Sequence, residues 1–385
     1  MTVENVMVMA GSHDKRIATR AIFFITGMAM GLWAALVPFA QQRTGSAAGE
    51  LGLLLLCLGA GSLLSMLGSG RIIGRFGCRS VIIASVVLYS LMLPLLATLE
   101  TLPMLAMSLF IFGMGIGLTD VAVNVQGSLV EQAAGKPLMS GFHCLWSVGG
   151  IAGAGGGALL FSLGLTPPAS TFIAITLIAI VTLLSFTALL PVGSHEEKDE
   201  TKPKARPNFR LVLMAAMTMI CFMAEGAVID WSGVFMTEDR GLALEHAGWS
   251  FALFSLTMSL MRMTGDAVVS RLGRKRVLFY GGIIAMLGYL IVVLMPGWMW
   301  SLAGFGLVGI GAANIAPVLI TLAGQEKVMP VHMSVALVAT MGYLGILGGP
   351  ALLGWIAHLS SLYLAFTLMG LSFLIIIGGA FRLRY

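Results

Sequence analysis

Charge is scarce in this sequence: 10% of its 385 residues are Asp, Glu, Lys or Arg, whereas 58% are hydrophobic. A water-soluble fold needs a far more polar surface, so that class is excluded. Cysteine is sparse too, and Cys57, Cys78, Cys144 and Cys221 are scattered without disulfide or metal-site spacing. There is no glycine-rich phosphate loop, no cluster of metal-ligand residues and no nucleophile paired with a base. An ATP-driven pump or an intramembrane hydrolase therefore lacks its parts, and the reading is a non-enzyme with no cofactor and no metal. The first apolar run, after Lys15, Arg16 and Arg20, is long enough to be expected to remain as an anchor rather than a cleaved leader.

What is abundant is apolar length. A bilayer core of ~30 Å takes about 20 apolar residues per helix, and runs of that size fall near 18–39, 49–70, 80–98, 102–130, 138–161, 169–191, 209–236, 246–264, 275–295, 299–323, 331–356 and 361–381. Twenty of the 22 Lys and Arg residues, Arg262 counted with the basic loop of Arg271, Arg274, Lys275 and Arg276, fall in every second gap between these runs; the opposite gaps hold only Arg43 and Arg240. This asymmetry puts both termini in the cytoplasm and makes the number of spans even. The pI of about 9.2 thus reflects orientation and contact with lipid headgroups, and no nucleic-acid partner is expected.

The stretch Ser194 to Asn208 is charged, holds two prolines and lacks apolar periodicity, so it reads as a linker. It divides the chain into a six-helix bundle at 1–191, a cytoplasmic linker at 192–208 and a second six-helix bundle at 209–385. An internal repeat agrees. Gly115-Ile116-Gly117 with Asp120 returns as Gly309-Ile310-Gly311 with Asn314 at an offset of 194, and Arg75-Phe76-Gly77 returns as Arg271-Leu272-Gly273 at 196. Spans four and ten run in the same direction, so the repeat is parallel about an axis along the membrane normal. The expected fold is an all-α membrane protein of 12 transmembrane helices in two six-helix bundles related by a parallel pseudo-twofold repeat.

Two six-helix bundles, a charged linker and paired basic loops after spans two and eight resemble the major facilitator superfamily. Its loop pattern is matched by Gly70, Arg75, Gly77 and Arg79, and in the second copy by Arg271, Gly273, Arg274 and Lys275. Arg75, Gly77, Arg271 and Gly273 are accordingly taken as gating-loop residues. The family's acid is replaced by Gly74 and Ser270, and the leading Gly of the second copy is Asp266, which leaves the usual cytoplasmic latch in doubt.

Three acids, Asp120, Glu225 and Asp230, lie inside long apolar runs. A lone carboxylate there costs at least ~2.5–3.5 kcal/mol, so each should face a wet cavity or be protonated. Asp120, Asn124, Gly127 and Glu131 share one helical face; the matching stripe on span ten is Asn314, Pro317, Thr321 and Gln325. Such a seam suits a residue that gains and loses a proton, and the alternative for Asp120 and Asn314 is helix-to-helix hydrogen bonding. The segment Leu118 to Asn124 resembles span four of fucose permease and its proton-coupled relatives, which implies Asp120 as proton carrier. Fucose permease's acid in span one has no counterpart here. Glu225 reads as a second proton-coupling acid. Asp230 with Trp231 reads equally as an interfacial pair.

Asn124, His143, Asn314, Trp33, Trp146 and Tyr343 are the candidate substrate walls, with core packing as the plain alternative for the aromatic ones. The segments of spans four, seven and eleven look most like the YbjJ-type branch of the superfamily. The expectation is a monomeric, multi-pass protein of the cytoplasmic (inner) membrane that carries a small sugar-like solute with protons by alternating access and contacts lipid. The alternatives are proton-driven efflux of an amphiphilic compound and a non-transporting sensor.

Overall fold

The computed structural model describes residues 13–45, 48–191, 206–243, 246 and 248–383. The expected linker at 192–208 lies outside the described residues except for its last three.

Among the described residues every regular element is helical. In chain order these are α1 (His13–Thr44), α2 (Ala48–Thr98), α3 (Leu102–Ala134), α4 (Met139–Ser162), α5 (Pro167–Ser185), α6 (Phe209–Val234), α7 (Trp249–Leu272), α8 (Arg274–Leu294), α9 (Trp298–Ala312), α10 (Ile315–Gln325), α11 (Val331–Leu359) and α12 (Leu362–Arg382). Among the described residues, ten helical segments are long and apolar enough to cross a bilayer. The chain is a multi-pass membrane protein. Its surface agrees, because Leu183 and Leu184 on α5 are 73% and 78% exposed, an arrangement that water penalises and lipid accepts.

The helices pack as two compact units. One comprises Met1–Gly135, Phe142–Pro203 and Pro330–Ala336; the other comprises Lys136–Gly141, Lys204–Met329 and Leu337–Tyr385.

In the first unit α2 is far longer than one crossing, and hydrogen bonds reveal its path. Ser62 and Ser85 would stand about 35 Å apart on a straight helix. Yet Ser62 Oγ donates to the Gly113 carbonyl (2.8 Å) and Thr119 Oγ1 donates to Ser85 Oγ (2.7 Å), contacts that fall only six residues apart on α3. The chain therefore doubles back between them. The reversal is at Gly77 (φ 79°, ψ 160°), a conformation reserved for glycine. In the second unit Gly273 adopts φ 80°, ψ 153° between α7 and α8, so the sequence repeat is also a backbone repeat.

Other pairs follow the same offset. The Arg79 guanidinium lies 5.2 Å from the Phe186 ring centroid, and Lys275 Nζ lies 4.6 Å from that of Phe381. Arg43 donates to the carbonyls of Leu99, Ala97 and Leu96 at 2.7–2.9 Å, saturating the last turn of α2. Arg240 does the same for α8, donating to Val293 (2.9 Å) and Val292, and to Ser301 Oγ (2.9 Å). The two cations on the sparse side of the charge pattern are thus helix caps.

Span ten was expected to be continuous, and it is not: α9 ends at Ala312 and α10 begins at Ile315, with Asn314 at φ −105°, ψ 0°. The cause is Pro317, which has no N–H for the Ala313 carbonyl and whose ring crowds that oxygen. The repeat position in α3 is Val123, and α3 runs unbroken for 33 residues.

Candidate functional site

In the first unit, Asp120 is half-buried in α3, and its carboxylate makes no hydrogen bond or ion pair among the described residues. One turn on, Asn124 is 1% exposed. Its Nδ2 donates to the Asp120 backbone carbonyl (2.9 Å), which fixes the amide orientation and leaves Oδ1 as the acceptor facing His143 Nε2 (3.1 Å). His143 on α4 must therefore carry its proton on Nε2 to make that bond. The Phe23 ring of α1 packs on the imidazole with centroids 5.2 Å apart. Of the expected polar stripe, Asn124, Gly127 and Glu131 are all buried.

Trp33 of α1 is 3% exposed, and its indole N–H is buried without a hydrogen-bond partner among the described residues. Trp146 is half-buried, and its backbone carbonyl meets the bare face of Gly27, where a methyl group would overlap it. Tyr343 is half-buried on α11.

In the second unit, Glu225 of α6 faces a cation. Its Oε2 lies 3.6 Å from Nη2 of Arg262, with side chains 19% and 8% exposed respectively. Arg262 Nε also donates to the Ala313 carbonyl (3.4 Å), the group stranded by Pro317. Next to it, Cys221 donates to the Ala312 carbonyl (3.6 Å). Asn314 donates through Nδ2 to the Met261 carbonyl (3.2 Å), while its Oδ1 is buried with no partner among the described residues. The Trp231 indole donates to the Pro350 carbonyl of α11 (2.9 Å).

Sequence reasoning grouped Arg262 with the basic loop. It is instead buried inside α7, about 14 Å of helical rise before Arg271, too deep for a loop cation. That spacing was the available signal. The second residue missed is Asp266, whose two carboxylate oxygens accept from the Gly141 N–H at 3.1 and 3.2 Å, in the first turn of α4. An acid at a helix N-terminus offsets the unpaired N–H groups there. The gating-loop side chains Arg75 and Arg271 are exposed.

Residues 21–327 match the family described as the Major Facilitator Superfamily. The chain is 42% identical to an uncharacterized MFS-type transporter of Yersinia pestis, over 95% of each chain. It is 33% identical to an uncharacterized transporter of Sinorhizobium fredii, over 91% of this chain and 93% of that one. Among solved structures, the MFS transporter FucP in its outward conformation superposes with a TM-score of 0.84 at 18% identity, covering 96% of this chain and 99% of the other. Helical spans, doubled backbone turns and a matching sequence over most of its length make this chain a member of the Major Facilitator Superfamily of membrane transporters.

Proposed function

We propose that this protein is a proton-coupled secondary transporter that moves a small polar, sugar-like solute across the cytoplasmic membrane by alternating access. The observation that carries this reading is Asp120: an acid within an apolar span whose carboxylate is held by no neighbour among the described residues. A carboxylate kept in such a place without a counterion is suited to exchanging a proton. His143, hydrogen-bonded to Asn124 one helical turn away, is its proposed proton relay, and the unpartnered indole N–H of Trp33 is a donor for a solute hydroxyl. The sugar-like class follows the fucose:proton symporter whose fold this chain shares. In the same proposal α2 counts as two spans and α9 with α10 as one, giving twelve spans with both termini cytoplasmic, bundles at 1–191 and 209–385, and a monomer.

The test is uptake into proteoliposomes under an inward proton gradient. Parent protein should accumulate solute and alkalinise the outside. Asp120→Asn should lose accumulation while retaining solute exchange between the two sides. Undiminished gradient-driven accumulation in that variant removes Asp120 from the mechanism, and acidification of the outside on solute addition replaces symport by exchange.

A further inference from the structure

The Glu225–Arg262 pair has features that a purely structural ion pair lacks, and they bear on the solute itself; the argument rests on the transporter reading above. Arg262 lies ten residues before the end of α7 at Leu272, which places it about 15 Å along the helix, near the middle of a bilayer core. A guanidinium there stays charged, so it needs an anion.

Glu225 supplies one, and the two meet loosely. Buried arginine and carboxylate partners normally meet as a two-pronged fork at about 2.7–2.9 Å. Here Nη2 to Oε2 is 3.6 Å. The carboxylate side chain is also the more exposed of the two, at 19% against 8%, so it is the partner with room to swing away. The guanidinium, by contrast, is tied to the Ala313 carbonyl at the Pro317 break.

The same break supplies a second recognition group. Asn314 is 4% exposed, and its amide is oriented by Nδ2 on the Met261 carbonyl. Its Oδ1 is a buried acceptor without a donor, packed against Gly265, where any side chain would collide with it. An unmade hydrogen bond of this kind is destabilising unless something else makes it. A fixed cation near a waiting acceptor is the complement of a carboxylate bearing a neighbouring hydroxyl or amino group.

We propose that Arg262 anchors the anionic group of the solute, that Glu225 is the counterion it displaces, and that the solute is a hydroxylated carboxylate such as a sugar acid rather than a neutral sugar.

The test uses the purified full chain and probes matched in all but one group: glucose against glucuronate, and galactose against galacturonate. Thermal unfolding in detergent should shift upward with an acid and not with its neutral twin. Arg262→Gln should lose that shift. Glu225→Gln, which removes the competing anion and leaves the arginine, should bind the acid about tenfold more tightly. If Arg262→Gln does not fold, the Glu225→Gln result decides, and unchanged or weaker acid binding overturns the proposal. Equal shifts by acid and neutral twin, or no shift by either acid, overturn it as well. Proton-driven accumulation of a neutral sugar would overturn this inference and leave the symporter standing. Acid binding without any uptake would do the reverse.

Discussion

Pro317 and Arg262 are complementary: the proline frees the carbonyl of Ala313, and the guanidinium takes it at 3.4 Å. A break in a membrane helix must find a donor for the backbone it exposes, and here that donor is a fixed cation. The first unit has neither the proline nor the arginine at the repeat positions, which are Val123 and Met66. Pro317→Ala should allow α9 and α10 to join, recovering part of the ~3 kcal/mol that a helical proline costs. The expected result is a thermal midpoint no lower than the parent's with transport slowed at least about tenfold, measured on one preparation. Unchanged transport would leave the joint without a role.

His143→Gln keeps an N–H for Asn124 Oδ1 and removes the ring that can take up a second proton. Uptake by this variant should remain measurable and respond differently to pH from the parent's. Asn124→Ala, which removes the acceptor altogether, should reduce uptake at every pH. A pH profile identical to the parent's in His143→Gln would dismiss the relay.

Asp266 accepts from the Gly141 N–H through both oxygens, four residues before Ser270, which stands where the family has its loop acid. Asp266→Ala should lower stability by about 0.3–2 kcal/mol, the range for a charge at a helix N-terminus. Asp266→Asn, which keeps an acceptor, should recover part of that loss. Equal stability of all three proteins in denaturant would show that the contact is passive.

Gly77 and Gly273 share a backbone conformation that a side chain strains. Either glycine changed to alanine should cost about 1–3 kcal/mol and reduce the yield of monodisperse protein. Parent-like unfolding of both variants would contradict the turn geometry.

Much of this fold was legible because lipid imposes simple rules. Apolar runs gave the helices, and the Arg75–Gly77 and Arg271–Gly273 repeat marked two turns that the backbone repeats to within a few degrees. Asp120 and Glu225 stood out as acids in apolar runs. Their surroundings did not, because pairing depends on contacts between distant segments: nothing near Glu225 in the chain announces Arg262. Arg262 itself was misplaced because counting charges along a sequence treats a cation near a span's end as a loop residue. The Pro317 break was visible as a proline, but its consequence for Ala313 and Arg262 appears only when α6, α7 and α10 are seen together.

The two arginine caps also say something about how the chain is made. Arg43 leaves the ribosome 53 to 56 residues before the carbonyls it serves, and Arg240 leads its own by a similar interval. Each cation must therefore wait, hydrated or on a lipid phosphate, until the third helix of its set arrives. Assembly then has one late clasp per repeat, and the first can close before the second has been translated.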